Sequence, residues 1–588
     1  MMKKKLFEKN LKILKHSYFA SCFKKNLNFH NASPPDSQDQ TTIEEAKQLF
    51  SCLPKIEHNC ALFIYGIGNG NYYLAAKQWL KNTPDSHLIF LENNLYIIQK
   101  FLEMDLATDC LSSPQIHICH WKHTNNLDLF YNLAWFFGKL DYFIYPSKHY
   151  EITQKKLFQE LKIKIMGSFA EVHNAHYTTL RFGEEFYLNY YLNLTTLDKS
   201  FQASCLFKKF KNVPAIICGA GPSLNKSLKL LKKQQKKALI FSAGSSLTPL
   251  SKSGINPHLS VILDPTPLLY THLEENLSFE TPLLYSSRAF WESVNAHHGP
   301  KLHIAGSGRY FISQWFEKQL GIKKKENLSM GPSVSTFSLS ISHALGCNPI
   351  IFIGMDLAYT KQRHYASDIE EKALQENDLI TYRDIYQVPS NTNIDWIMES
   401  HWVTEFAKNH PECTFINATE GGIGFEHISN LSLQAVFEKY LLNEYDLSNH
   451  VHSEIHNRSL PILKKKHIYT SMNIMKKSLE NCLILCEKLI KKTLYAIDNA
   501  ETLTSSQKMI CQISQDLKDE IAYNYILSPL LDYYDRMLAL EQYLLKRKRF
   551  SNESAHLTIQ VKKITYLRQA IESNLDYLDN SLYYSPSE

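Results

Sequence analysis

The stretch ICGAGPSLNKSL, residues 217–228, sets Gly219, Ala220, Gly221, Pro222 and Ser223 between an apolar run and a basic amphipathic one. Its two glycines allow positive φ and the close approach of a phosphate to the backbone. Pro222 suits the first turn of a helix, where a missing N–H costs nothing. Ser223 adds a hydroxyl, and the free amides of the following turn point at an anion. Leu224 stands where a dinucleotide fingerprint has its third glycine, so that fingerprint is not met. A tight structural turn would use the same residues.

Other groups of the same kind follow. FSAGSS supplies Ser242, Gly244 and Ser245 after the next apolar run, and LSVILDP ends a further one at Asp264. MGPSVSTFS opens a helical pattern with Gly331, Ser333 and Ser335 near its start. Small polar groups at successive strand ends of one sheet describe an anion-binding crevice. In INATEGGIGF, Glu420 precedes Gly421 and Gly422, where its carboxylate would accept from a sugar hydroxyl or cap the next helix.

Earlier in the chain, GIGNGN (66–71) is followed by Glu92 near the end of the next apolar run. That pair could hold a ribose, but without a third spaced glycine the preferred reading is a ligand-free Rossmann-like scaffold. His117, Cys119, His120 and His123 do not form a zinc set, since strand alternation splits them between two faces and no distant second pair occurs. No metal site is expected. The KRKR run at 546–549 lies in a helical pattern and reads as a solvated face.

The elements that must position these groups alternate between strand and helix. CALFIYG, HLIFLENN and LDYFIYPS read as strands of a first α/β unit; VPAIICG, KALIFSA, LSVILD, PLLYSS, KLHIAG and NPIIFIG read as strands of a second. After about residue 450 apolar residues recur at three- and four-residue steps, and no glycine follows Phe425. The expected class is α/β: a basic arm and linker over 1–44, a Rossmann-like unit over 45–195, a doubly wound, mainly parallel core over 196–449, and a helical domain over 450–588. The last is expected to serve interaction or assembly.

Composition sets outer bounds. The chain has 588 residues, 44% hydrophobic and 21% charged, as a folded multidomain protein should. Its net charge of +6 suits an anionic ligand without requiring nucleic acid. The basic start MMKKKLFEKNLKILKHSYF breaks every apolar run with charges, so it reads as a solvated arm rather than a signal peptide. No transmembrane helix is expected, and the expected location is cytoplasmic. Twelve cysteines without a CxxC pair read as reduced thiols.

VPAIICGAGPSLN, GPSVSTFSLSISHALGCNPIIFIGMDLAYT and INATEGGIGF together resemble the motility accessory factor glycosyltransferase family. That family shares a domain with hydroxymethylpterin diphosphokinases of archaeal type, and its centre is similar to bacterial sialyltransferases that use CMP-activated nonulosonic acids. The resemblance implies a nucleotide phosphate above Gly219–Ser223, with Ser333 and Ser335 near the sugar or nucleotide. It also places Asp356 at a strand end and gives Tyr359 or Tyr365 a hydrogen bond to the leaving phosphate, though Tyr359 equally fits an amphipathic rim. YQVPSNTNIDW lacks the histidine base of the sialyltransferases. That leaves His364, Asp264, Asp356 and Glu420 as candidates to take the acceptor's proton. No DxD follows the core strands, so no obligatory metal or other cofactor is expected.

Three functions follow. The leading one is transfer of a nonulosonic-acid-type sugar from a CMP donor to a protein serine or threonine, by direct displacement. The second is a hydroxymethylpterin diphosphokinase using ATP and Mg²⁺. The third is a nucleotide-binding module without catalysis.

Overall fold

The computed structural model describes residues 2–19, 34–35, 41–52, 59–121, 127–180, 182–267, 270, 280–307, 311–323, 328–360, 363, 365–366, 379–456, 463–498, 503–547 and 553–583. The chain forms two compact units, one of residues 1–176 with 532–559, the other of 177–531 with 560–588. The helical residues 450–588 are therefore divided between the two.

The first unit is built on β1 (Cys60–Tyr65), β2 (His87–Glu92), β3 (Ile116–His120) and β4 (Asp141–Pro146), in the order β3-β2-β1-β4 and parallel throughout. Every residue of β1, β2 and β3 is buried, as expected of apolar runs covered on both faces by helices. The first residues do not form a solvated arm. Met2–Lys15 is a helix whose Asn10 and Leu14 are fully buried, and the Asn10 amide donates to the Leu102 carbonyl at 3.0 Å. Its apolar residues recur on one face, and that face has a core to cover.

The second unit contains β5 (Phe201–Gln202), β6 (Ala215–Cys218), β7 (Leu239–Ala243), β8 (Leu259–Ile262), β9 (Leu283–Tyr285), β10 (Lys301–His303), β11 (Ile350–Ile353), β14 (Phe415–Asn417) and β15 (Ser429–Asn430). They make one nine-stranded parallel sheet, ordered β15-β14-β11-β6-β7-β8-β9-β10-β5. Side chains alternate between its faces. Ile217, Phe241 and Phe352 pack on one side beneath the helix Val334–Ala344, while Ile216, Ile240 and Ile351 pack on the other with the helix Leu224–Lys233. A small antiparallel ribbon, β12 (Ile380–Arg383) with β13 (Pro389–Thr392), stands apart from that sheet. Strand succession runs outward from β6 through β10, then returns to β6's other side with β11. The order reverses between β6 and β11, which is where an open α/β sheet parts its loops and leaves a crevice.

Helices from Lys465–Asp498 and Glu553–Tyr583 contribute Met472, Leu479, Leu567 and Ile571 to a core of the second unit that also holds Tyr187 and Phe316. Among the described residues no helix is long and apolar enough to cross a membrane.

Candidate functional site

Three loops meet where the strand order reverses: Gly219–Ser223 after β6, Gly354–Asp356 after β11 and Glu420–Gly422 after β14. Asp356 is their hub, with 3% of its surface exposed. Its carboxylate accepts from the Ser223 hydroxyl at 2.7 Å and from the Ser223 amide at 3.2 and 3.3 Å, while its carbonyl accepts from the Ile423 amide at 3.0 Å. Burial pushes the Asp356 carboxyl up to about 6, against the opposing pull of the Ser223 bonds and of the Lys226 charge.

The glycines are explained by crowding rather than by the positive φ expected from sequence. Neither Gly219 nor Gly221 has positive φ. A Cβ on Gly219 would lie 2.5 Å from the Gly354 carbonyl oxygen, and one on Gly221 would lie 2.2 Å from an Asp356 carboxylate oxygen. Gly354 and Gly422 do require the left-handed region, at φ 64° and 72°, and a Cβ on Gly422 would fall within 1.8 Å of the Asp356 carbonyl oxygen. Pro222 precedes the helix Leu224–Lys233, which begins after Ser223, so it is not in the first turn.

The turn's amides are also less free than its sequence suggests. Those of Gly219, Gly221 and Leu224 donate to Ile353, Gly354 and Gly221 carbonyls, and that of Ser223 to Asp356. The anion resting in this turn is the protein's own carboxylate. The Lys226 charge acts on that carboxylate, and the Lys226 ammonium donates to the Glu420 carbonyl at 3.2 Å. Lys226 is not among the candidates named from the sequence, although a basic residue in the first turn after a glycine loop is a signal for an anionic ligand.

The other candidates fall into distinct places. Ala220 accepts from the Ala366 amide at 2.8 Å, which brings the segment carrying Tyr365 alongside the glycine turn. Tyr359 is pinned by its amide to the Asn391 carbonyl, and its ring lies 4.8 Å from that of Trp396. Ser242 does not open into a crevice: it is fully buried and donates to Ser260 of β8 at 3.0 Å. Gly244, at φ 52°, and Ser245 start the short turn after β7. Asp264 follows β8, two strands from β6, or about 10 Å at ordinary strand spacing, and accepts from the amide and hydroxyl of Thr266. Glu420 accepts from the Leu433 amide at 2.9 Å and so caps the helix Leu433–Lys439. His364 lies outside the described residues.

Ser333 is the N-cap of the helix Val334–Ala344, accepting from the Thr336 amide and donating to Glu399 at 2.5 Å; Ser335 lies in that helix's first turn. Burial pushes the Glu399 carboxyl up to about 7. Glu399 belongs to the helix Ile394–Asn409, whose polar and apolar residues do not segregate cleanly enough to mark it from sequence. Among the described residues no group of three or more histidines, cysteines and carboxylates is placed to hold a metal ion.

The first unit has a similar arrangement. Glu92 is fully buried and accepts from the Ile67 amide inside the glycine turn, from the Asn94 amide and from the Tyr150 hydroxyl at 2.7 Å. Burial lifts its carboxyl to about 7. The group considered for a ribose is committed to its own loop.

Residues 188–362 match the family model described as 6-hydroxymethylpterin diphosphokinase MptE-like, a span that includes the Gly219 turn, Ser333 and Asp356. No curated protein matches the sequence. Among solved structures the chain is similar to that of a Maf glycosyltransferase from Magnetospirillum magneticum AMB-1, at 13% identity and a TM-score of 0.50, over 97% of this chain and 89% of that one. At that identity the likeness is one of fold.

Proposed function

We propose that this protein is a glycosyltransferase that holds a nucleotide-activated sugar at the reversal point of its nine-stranded sheet and passes the sugar to a protein serine or threonine. The observation that carries this reading is the convergence of the loops after β6, β11 and β14 on Asp356, a buried carboxyl near neutrality, with Lys226 beside it. The donor would be a CMP-activated sugar of the nonulosonic-acid type. The acceptor hydroxyl oxygen bonds to the anomeric carbon as the bond from that carbon to the phosphate oxygen breaks. The hydroxyl's proton passes to Asp356, which suits the role because a base works best when its pKa lies near the working pH. Lys226 opposes the phosphate charge, and the Tyr359 and Tyr365 hydroxyls donate to the departing phosphate. Gly219–Ser223 shapes the floor of the crevice and holds Asp356 in place.

The match to the pterin diphosphokinase family model favours a second reading, pyrophosphate transfer from ATP to a hydroxymethylpterin. That chemistry needs carboxylates gathered on Mg²⁺. Among the described residues no group of three or more histidines, cysteines and carboxylates is gathered in that way.

Incubating the full chain with CMP-sugars and candidate acceptor protein, and separately with ATP, Mg²⁺ and hydroxymethylpterin, tests both readings. Release of CMP that is lost in Asp356→Asn supports the transferase. AMP release with pterin alone would replace it with the kinase, and nucleotide binding without either product would leave a binding module.

A further inference from the structure

The first unit carries a concavity of about 420 Å³ that none of the proposed chemistry uses. Four of its lining residues, Asp128, Tyr131, Asn132 and Trp135, lie on the helix Leu127–Phe137 at helical spacing i, i+3, i+4 and i+7, so one face presents all four. Tyr18 and Arg536 supply the rest of the lining that matters here. Tyr131 meets Trp135 edge to face at 6.0 Å, and the Arg536 guanidinium lies 5.5 Å from the Trp135 ring centre. Asp128, Asn132 and Arg536 are exposed and make no hydrogen bond or ion pair among the described residues. Trp135 is 5% exposed, and its indole N–H has no acceptor among the described residues.

We propose that this concavity binds a neutral carbohydrate of one or two sugar rings. Its volume falls in the range of about 300–1,000 Å³ usual for small-ligand pockets. A sugar ring offers an apolar C–H face to aromatic side chains and hydroxyls that both donate and accept. Asp128 only accepts, Arg536 only donates, and Asn132 does both, so together they match a set of hydroxyls. A phosphorylated ligand would gain Arg536 but face Asp128. A wholly apolar one would strip water from three polar side chains without replacing it. The inference uses no residue of the reversal-point site and stands independently of the transferase reading.

Saturation-transfer NMR on the full-length protein, with glucose, galactose, N-acetylglucosamine and lactose as probes, reads the binding directly. At least one probe should show transfer, and its Kd should rise about fivefold or more in Asn132→Ala and in Asp128→Ala, as the loss of one hydrogen bond implies. Both positions are exposed, so circular dichroism should show an unchanged fold. Absence of transfer from all four sugars, displacement of the sugar by excess CMP, or unchanged affinity in both variants would overturn the proposal.

Discussion

Gly221 and Gly421 stand on two sides of one carboxylate, with different room to spare. A methyl on Gly221 meets an Asp356 oxygen at 2.2 Å and the Gly354 carbonyl at 2.8 Å, so Gly221→Ala must push the loops apart. It should cost about 1–3 kcal/mol, as overpacking does, and urea melts check this. A methyl on Gly421 lies 3.5 Å from Asp356 and 3.8 Å from Ser223, in ordinary contact. Gly421→Ala should therefore melt like the wild type. Ser223→Ala removes the 2.7 Å bond to Asp356 and should cost about 1.5–3 kcal/mol, with the carboxyl driven further upward. The small residues of this turn were legible in the sequence, but their reason was not. Glycine at 219 and 221 answers to Gly354 and Asp356, more than 130 positions away, and no local pattern shows such a neighbour.

At the scale of elements, caps and buried carboxyls decide what each loop can do. Glu420 holds the first amide of the helix Leu433–Lys439. Glu420→Gln keeps an acceptor there and should preserve both stability and CMP release, whereas Glu420→Ala should cost about 1 kcal/mol, like other lost caps. Glu399 behaves differently. Its folded carboxyl sits near 7, above its unfolded value, so its contribution to stability is full below about pH 4.5 and is lost as pH rises through 7. Glu399→Gln keeps an oxygen for Ser333 and removes the buried charge. Thermal melts should show the variant gaining on the wild type between pH 5 and 8, by up to about 3 kcal/mol. The strands that carry these loops were plain in the sequence, because each is a short apolar run covered on both faces. Glu399 was hidden, since its importance comes from Ser333, a residue on another helix.

The whole molecule is less divisible than its sequence suggests. A helical tail reads as a separate module because its period changes at about residue 450, yet Met472, Leu479, Leu567 and Ile571 complete a core around Tyr187 and Phe316. Periodicity reports that a face is apolar and is silent about which core that face completes. Truncation at residue 450 should therefore leave the second unit insoluble or unfolded, which size-exclusion chromatography and circular dichroism would show; a soluble, folded truncation would contradict this packing. The first unit has its own debt to the tail. Tyr533, Met537, Leu540 and Tyr543 pack against its core beside Trp135 and Phe136, and the unit is completed only by residues 532–559. On a ribosome, which delivers the chain from its amino end, residues 1–176 emerge long before the segment that covers them. Residues 1–176 are thus finished only after residues 177–531 have been made, and their aromatic surface must stay soluble, or be kept so by a chaperone, throughout that interval.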